Sequence, residues 1–253
     1  MNTDAYRLAP LNLTLPPGEI HIWRAWLAER NDLGELDHTL WEDERRRAER
    51  FHFEADRQRF VAARGILRRL LGRYLRVAPA EVSFRYGAQG KPELSGSATS
   101  SVSFNLAHSG DLALFALAQG RRLGIDVERL REVPEALTIA RHHFTPSESK
   151  HLRSTGTGLQ AAFFRLWTRK EAVIKAVGTG VSTPLHEFDV SSIAPADARW
   201  QRVSVPSQPR PEWYVCDLPA ADNYCAALAV EVSSMKTGAL EEPARLYFWR
   251  EGD

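Results

Sequence analysis

Two acidic residues stand two positions apart in an apolar segment, where they could share a cation. The segment 123–128 reads Leu-Gly-Ile-Asp-Val-Glu, and its alternation predicts a strand. In a strand, Asp126 and Glu128 point to one face, while Ile125 and Val127 point to the other. Two carboxylates with no thiolate or clustered imidazole nearby suit a hard ion such as Mg²⁺. The alternative is that both acids are solvated at the end of a strand.

A second group of polar residues shares one face of a predicted helix that covers about 160–177. Trp167, Glu171 and Lys175 follow one another at intervals of four residues, so they lie on one line along the helix. Glu171 and Lys175 could form an ordinary helix ion pair, worth about 0.2–0.5 kcal/mol. The tryptophan on the same line indicates a partly buried face, where a surface-type ion pair is costly. The pattern fits a structural pair and a functional pair equally well.

Basic and polar residues at two predicted turns could contact a phosphate. His108 and Ser109 follow the strand predicted at 102–107, and strand ends often present reactive side chains. Lys91 projects from the Gly-Lys-Pro turn at 90–92, which Gly and Pro make tight and rigid. A structural histidine and an ordinary exposed lysine are the alternatives.

The charge-dense segment 41–51 predicts a short exposed helix. Its arginines alternate with acids, which is typical of a solvated helix face rather than of a nucleic-acid stripe. Arg47 and Arg50 are three residues apart, so they could grip a phosphorylated ligand together.

Composition excludes several classes of protein. The 253 residues carry a formal net charge of +1, so no global field attracts nucleic acid. The N-terminus lacks the pattern of a signal peptide, and the apolar run at 112–118 is too short to cross a bilayer. Cys216 and Cys225 form neither a CxxC pair nor a disulfide framework. We therefore expect a cytoplasmic protein that binds neither nucleic acid nor membrane.

The elements that position these residues occur twice in the same order: a strand, short helices, a long helix and a run of strands. This order predicts an α+β fold of two similar lobes, with a ligand site in the cleft between them. The predicted divisions are an extended lead-in at 1–20, a first lobe at 21–120, a second lobe at 121–232 and a tail at 233–253.

Finer predictions concern the ends of individual elements. Asp56 is predicted to cap a helix that runs to about Leu75. Helical pieces at 135–152 are predicted to break at Thr145 and Pro146. The later strands are predicted near 186–190, 200–205, 213–217 and 224–230.

Four motifs, in this order, resemble the signature of the Sfp-type 4'-phosphopantetheinyl transferases. They are the turn Gly90–Pro92, the segment Asn105–Ser109, the strand Gly124–Glu128 and the helix segment Trp167–Lys175. The last is the most specific. Ala107 departs from the family pattern, because many members have serine before the histidine. This departure concerns contacts on the nucleotide side.

The resemblance implies a pseudo-twofold fold of two α+β lobes with coenzyme A in the cleft. It implies that Asp126, Glu128 and Glu171 bind magnesium, and that Lys175 lies near the transferring phosphate. Glu171 or a metal-linked water would deprotonate the acceptor. The catalytic set is then Glu171, Lys175 and His108. The residues assigned to coenzyme A are Arg47, Arg59, Lys91, His108, Ser109 and Lys175.

The implied activity is that of a holo-[acyl-carrier-protein] synthase type of enzyme. It would use Mg²⁺ to transfer the 4'-phosphopantetheine group of coenzyme A to a serine of an apo carrier protein. The expected partners are coenzyme A and acyl or peptidyl carrier proteins, and the expected state is a monomer. The alternatives are a metal-dependent hydrolase of coenzyme A and a non-catalytic coenzyme A or carrier-binding module. Glu148, in a stretch that resembles the family's F-[ST]-x-x-E, could contact the carrier, support the site or start a helix.

Overall fold

The chain divides into two compact units in the structure, which is a computed structural model. The first unit comprises Met1–Gln119 and Leu246–Asp253, and the second comprises Gly120–Arg245. The structure describes residues 5–87, 90–95, 101–180, 183–191, 200–208, 211–232 and 243–251.

Eleven strands and six α-helices are numbered along the described residues. The strands are β1 Arg7–Leu8, β2 Glu19–Trp26, β3 Phe84–Tyr86, β4 Pro92–Leu94, β5 Val102–Ser109, β6 Leu112–Gln119, β7 Leu123–Arg129, β8 Gln201–Val203, β9 Glu212–Asp217, β10 Tyr224–Val232 and β11 Arg245–Arg250. The helices are α1 Leu33–His38, α2 Glu42–Ala48, α3 Glu54–Leu75, α4 Ala136–His143, α5 Pro146–Arg153 and α6 Leu159–Val177.

The first unit contains a five-stranded sheet in the order β1-β11-β2-β6-β5. The strand β6 pairs antiparallel with both β2 and β5, and its seven apolar residues, Leu112–Ala118, are all buried. The helix α3 packs against this sheet through a shared apolar core. The strands β3 and β4 form a separate hairpin. The unit is therefore an α+β layer arrangement.

The strand β11 lies in the first unit although it follows the second unit in the chain. It pairs parallel with β1 and neighbours β2 on its other side. Both β1 and β11 fall within segments that the sequence assigns to an extended lead-in and a polar tail.

The second unit contains a four-stranded antiparallel sheet in the order β7-β10-β9-β8. The long helix α6 packs on it through small residues. Ala172 and Ala176 of α6 share a buried cluster with Ala227 and Ala229 of β10. These side chains are short, so the helix approaches the sheet closely. The mixed α+β class is confirmed.

The helix predictions are confirmed except for the start of α3. The helix α6 covers Leu159–Val177, and α4 and α5 break at Thr145, which caps α5 by accepting a hydrogen bond from Glu148 N. The prediction that Asp56 caps α3 is wrong, because the helix begins at Glu54 and Asp56 lies in its first turn. No described helix is long and apolar enough to cross a membrane.

The strand predicted near 186–190 is wrong. Leu185–Glu187 is a single 3₁₀ turn, and the peptide groups that follow bond to side chains instead of a neighbouring strand. Arg169 donates to Val190 O at 3.0 Å, and Lys170 donates to Phe188 O at 2.6 Å. The apolar residues here are buried, as a strand's would be, but their backbone has no strand to pair with.

Candidate active site

The strand β7 and the helix α6 meet at Gly124, where their backbones nearly touch. A Cβ atom on Gly124 would lie 2.8 Å from the carbonyl carbon of Lys175, and it would overlap backbone atoms of Ala172 and Ala176. Side chains alternate along a strand, so Asp126 and Glu128 share the face of Gly124. The two acids therefore face the helix.

Asp126 is buried, with only 5% of its surface exposed. Its Oδ1 accepts a hydrogen bond from Lys175 Nζ at 2.6 Å. Its Oδ2 is buried and has no hydrogen-bond partner among the described residues. This arrangement excludes the alternative that Asp126 is solvated at a strand end.

The environment of Asp126 raises its pKa to about 7. Burial is the main cause, and the charges of Glu171 and Glu128 add to it, while Lys175 opposes it. The three carboxylates therefore lie close enough to disfavour one another's ionisation.

Glu171 lies one turn before Lys175 on α6 and is half-buried. Burial raises its pKa, with a further contribution from Glu128 and an opposing one from Lys175. Glu128 is half-exposed, and Arg131 Nη1 lies 3.3 Å from its Oε2. The structure thus brings the three predicted acids and Lys175 together.

Carboxylate oxygens of this kind suit a magnesium ion. An all-oxygen donor set is what Mg²⁺ prefers, and the unsatisfied Oδ2 of Asp126 is an atom that a cation would satisfy. Among the described residues, however, no group of three or more His, Cys, Asp or Glu stands arranged to hold a metal. Lys175 instead donates a hydrogen bond to the other carboxylate oxygen of Asp126. The residue types fit the ion, and the side chains are not assembled around one.

Trp167 lies on the same face of α6 as Glu171 and Lys175, and its ring packs against other aromatic side chains. Its ring stacks on Phe163 at 5.9 Å between centroids and also contacts Phe144 at 6.4 Å. The half-buried tryptophan agrees with the partly buried face that the sequence predicts.

His108 and Ser109 end the strand β5 of the first unit. His108 is exposed and Ser109 is half-buried, and they pair in register with Ala113 and Leu112 of β6. Ala107 is buried and, as the preceding residue of the strand, faces the opposite side from His108.

A cavity of about 550 Å³ in the first unit is lined by two of the predicted basic residues. Arg47 and Arg50 line it from the region of α2, and Gly90, which precedes Lys91, lines it from the hairpin turn. The rings of Phe51 and Tyr86 and the acids Asp43 and Glu44 complete the lining among the described residues. Two guanidinium groups beside aromatic rings suit a nucleotide that carries phosphates.

Arg59 has a different environment. Its Nε bonds Asp111 at 2.7 Å and its Nη1 bonds Asp56 at 3.0 Å. The hydrogen bond to Asp111 is the main reason why the pKa of Arg59 is raised. Arg59 is not among the described residues that line the cavity with Arg47.

A buried ion network under this cavity was missed from the sequence. Glu44 is 2% exposed and accepts hydrogen bonds from Arg64 Nε at 2.6 Å and from Arg68 Nε at 2.7 Å. Arg64 Nη2 donates to the hydroxyl of Tyr86 at 2.5 Å. The only sequence signal is the spacing of four between the two arginines, which places them on one face of α3.

Comparison with known proteins identifies the family to which this chain belongs. The sequence profile described as 4'-phosphopantetheinyl transferase superfamily matches residues 122–229, and that of 4'-phosphopantetheinyl transferase, N-terminal, matches residues 24–120. The 4'-phosphopantetheinyl transferase HetI of Nostoc sp. is 42% identical over 224 residues, which cover 87% of this chain and 91% of HetI. The chain belongs to the 4'-phosphopantetheinyl transferase superfamily.

Three further comparisons give lower identities than HetI. The 4'-phosphopantetheinyl transferase of Bacillus subtilis is 31% identical over 58% of this chain and 64% of its own length. The human L-aminoadipate-semialdehyde dehydrogenase-phosphopantetheinyl transferase is 29% identical over 66% of this chain and 58% of its own length. The crystal structure of holo-[acyl-carrier-protein] synthase from Thermotoga maritima shows a TM-score of 0.33 at 21% identity, over 45% of this chain and 64% of that one.

Membership of the 4'-phosphopantetheinyl transferase superfamily confirms the resemblance that the four motifs indicate. It also confirms that the chain is an enzyme and that its reaction class is phosphopantetheinyl transfer.

Proposed function

We propose that this 4'-phosphopantetheinyl transferase moves the phosphopantetheine arm of coenzyme A onto a serine of an apo acyl or peptidyl carrier protein, with Mg²⁺ as cofactor. The observation that carries the proposal is Asp126, a buried carboxylate with one oxygen on Lys175 and the other unsatisfied. A buried charge beside a lysine and two further acids is costly, and such sites are frequently functional.

The reaction exchanges one phosphorus–oxygen bond for another. The serine oxygen bonds to the phosphorus that carries the pantetheine arm, and the bond from that phosphorus to the bridging oxygen breaks. Adenosine 3',5'-bisphosphate leaves with the electron pair of that bond. The serine proton passes to a base, for which we propose the carboxylate of Glu171, which is half-buried on the same face of α6 as Lys175, or a water held at the same site.

The remaining residues of the second unit are proposed to neutralise charge. Asp126, Glu128 and Glu171 would hold Mg²⁺, which when bound neutralises the charge of a pyrophosphate. Lys175 supplies a positive charge beside them, since its Nζ lies 2.6 Å from Asp126 Oδ1. Phosphoryl transfer depends mainly on positioning and electrostatics, so no protein nucleophile is needed.

The first unit is proposed to bind the nucleotide end of coenzyme A. The cavity with Arg47 and Arg50 supports this role, because it combines two cations with aromatic rings. Lys91, His108 and Ser109 are proposed as further contacts to the phosphates. Arg59 belongs to the proposed set only if it exchanges Asp111 or Asp56 for the ligand, since both acids now hold it.

We also propose that the enzyme acts as a cytoplasmic monomer. Cys216 and Cys225 are not joined in a disulfide, which agrees with a reducing compartment. Light scattering on the purified chain measures its mass in solution and so tests the monomer directly.

Intact-mass spectrometry tests the reaction. The chain is incubated with Mg²⁺, coenzyme A and a panel of apo carrier proteins, and a modified carrier gains about 340 Da, the mass of the transferred group. The variants Asp126→Asn and Glu171→Gln should lose this activity, while Glu135→Gln, at an exposed position of the same unit, should keep it. Each variant's fold is checked by circular dichroism.

Other outcomes distinguish the alternatives. Hydrolysis of coenzyme A while every carrier stays unmodified would support a hydrolase. Binding of coenzyme A without any turnover would support a non-catalytic module. Full activity in both acidic variants would overturn the assignment of these carboxylates.

A further inference from the structure

Apolar contact alone holds the strand β11 only weakly. Its outer neighbour β1 has two residues, both exposed. The residues 246–249 of β11 are half-buried, whereas Leu112–Ala118 of β6 are fully buried. The rings of Tyr247 and Trp249 contact the ring of His21 at centroid distances of 5.4 and 5.9 Å. Because stabilisation scales with the apolar area that is buried, these contacts fix β11 less firmly than β6 is fixed.

A sheltered carboxylate follows this strand directly. The side chain of Glu251 is only 6% exposed. Its Oε1 accepts a hydrogen bond from Arg69 Nη1 of α3 at 3.1 Å, and its Oε2 lies 3.4 Å from Arg30 Nη1. The backbone N–H of Glu251 donates to Arg24 O of β2 at 3.0 Å. Glu251 thus joins the end of β11 to α3, to β2 and to the segment that follows β2.

Asp32 completes an ion network around this carboxylate. Arg30 Nε and Nη2 donate to the two oxygens of Asp32 at 2.7 and 2.8 Å, and Arg69 Nη2 donates to Oδ2 at 2.8 Å. The hydrogen bond from Arg30 is the main reason why the pKa of Asp32 falls to about 2. Two arginines and two acids therefore balance each other, and Glu251 is the member that β11 brings with it.

The network favours two discrete states of β11. Burial raises the pKa of Glu251, and the charges of Arg30 and Arg69 oppose that shift. The charge of Glu251 is therefore tolerated in this sheltered place because both arginines are beside it. A partly separated network would leave a desolvated charge without a counter-charge, which is costly. A strand that leaves completely returns Glu251 to water and avoids that cost.

We propose that residues 245–251 form a strap that docks and undocks as a unit, and that Glu251 is the latch that keeps it docked. Undocking would uncover the peptide groups of β2 that face β11, and it would remove one of the two acids that hold Arg69. The strap is thus a separate opening unit at the edge of a sheet whose other strands stay paired.

The helix α3 connects the latch to the nucleotide cavity. Arg69 adjoins Arg68, whose Nε donates to Glu44 beside the cavity at 2.7 Å. The docked strap fixes Arg69 and so steadies the part of α3 that supports Glu44. This consequence rests on the proposed function, because it takes the cavity to bind the nucleotide end of coenzyme A. A docked strap should then favour the bound nucleotide, and by linkage a bound nucleotide should favour the docked strap.

Hydrogen–deuterium exchange of the whole chain in dilute urea tests the strap, because it measures the opening of each segment separately. The variant Glu251→Gln keeps the shape of the latch and removes its charge. Arg69→Met removes the partner, and the double variant completes a thermodynamic cycle. The matched control is Glu231→Gln, since Glu231 is 15% exposed and pairs with Arg122 in the other sheet.

In the unsubstituted chain, we expect the strap to exchange faster than β6. Glu251→Gln should speed exchange in the strap and in the facing peptide groups of β2 at least about tenfold, because a hydrogen bond to a charged group is weakened. The control should leave both rates unchanged. The double variant should open by less than the product of the two single effects.

Two further measurements test the link to the cavity. Saturating adenosine 3',5'-bisphosphate should slow exchange of the strap in the unsubstituted chain. Glu251→Gln should raise the KM for coenzyme A about threefold and leave kcat unchanged, since the strap acts on binding.

Several results would overturn the inference. An unchanged exchange rate of the strap in Glu251→Gln, or an equal acceleration in the control, would refute the latch. Exchange of β11 at the rate of β6 in the unsubstituted chain would refute separate undocking. If the chain binds no adenosine 3',5'-bisphosphate and modifies no carrier, the proposed function fails, and exchange without nucleotide still decides the latch. If the nucleotide binds and exchange of the strap does not respond, only the link through α3 fails.

Discussion

The ion pair of Lys170 and Glu148 allows a sharp test of the structure of the second unit. Both side chains are fully buried, and Lys170 Nζ lies 2.8 Å from Glu148 Oε2. The same ammonium group donates to the carbonyls of Leu185 at 2.7 Å and Phe188 at 2.6 Å. Burial lowers the pKa of Lys170, and the charge of Glu148 opposes that shift. Lys170 thus connects α6 both to α5 and to the segment 185–188, which follows α6 in the chain.

The substitution Lys170→Met removes the cation and leaves a buried carboxylate with no counter-charge. Breaking a buried pair in this way costs about 3–5 kcal/mol. A change of 1 kcal/mol shifts the melting temperature of a chain of this size by about 2–4 °C, so we expect a fall of about 6–20 °C. The carbonyl groups of Leu185 and Phe188 also lose their hydrogen-bond donor, which lowers the stability further.

Differential scanning calorimetry at pH 7 measures this change. The control is Arg46→Met, which breaks the pair with Glu42 on an exposed face where the two side chains are 68% and 69% exposed. That pair is worth at most about 0.5 kcal/mol, so the control should melt within about 2 °C of the unsubstituted chain. A Lys170→Met variant that melts as late as the control would refute the buried charge pair.

The reciprocal variant, Glu148→Gln, adds a dependence on pH. Without Glu148, nothing comparable opposes the effect of burial, so the pKa of Lys170 in the folded state falls further below its ordinary value of 10.5. The folded state then binds fewer protons than the unfolded state, and stability rises with pH up to about that value. A stability that is flat or falls with pH over this range would contradict the argument.

Three further predictions concern the site. Gly124→Ala should cost about 1–3 kcal/mol in urea unfolding and reduce transfer, because a methyl group there overlaps the backbone of α6; unchanged stability would contradict the close approach. Tyr86→Phe should raise the KM for coenzyme A severalfold with kcat unchanged, because Arg64 loses its hydroxyl partner beside the cavity; an unchanged KM would separate this network from binding. Chelation by EDTA should abolish transfer and Mg²⁺ should restore it; activity that persists in EDTA would exclude a metal.

Local pattern sufficed for the elements that carry the proposed site. The period of apolar residues predicts α6 to within one residue of its start, and alternation places Asp126 and Glu128 on one face of β7. It was harder to predict from the sequence which face of β7 packs on α6. Gly124 is the local signal, since a residue without a side chain marks the side on which another backbone approaches.

The features that the sequence did not predict depend on contacts between distant residues. Glu44 is twenty positions from Arg64, and no short-range pattern links them. The absence of a strand at 186–190 is similar in origin. Its peptide groups bond to side chains of α5 and α6, such as Glu148, which accepts from Val190 N at 2.8 Å. Burial looks the same for a strand and for this segment, so hydrophobicity alone cannot separate them.

The position of β11 in the first unit has a consequence for how the protein is made. All of its residues after Arg245 follow the second unit in the chain, yet β11 forms the strand between β1 and β2. When synthesis has reached Gln119, the sheet of the first unit therefore still lacks one of its inner strands. The peptide groups of β2 that will bond to β11 then have no neighbouring strand. The second unit emerges as one continuous piece and is complete first. The order of synthesis is thus the reverse of the order of completion, and the first unit needs protection from strand-edge association until residues 245–250 arrive.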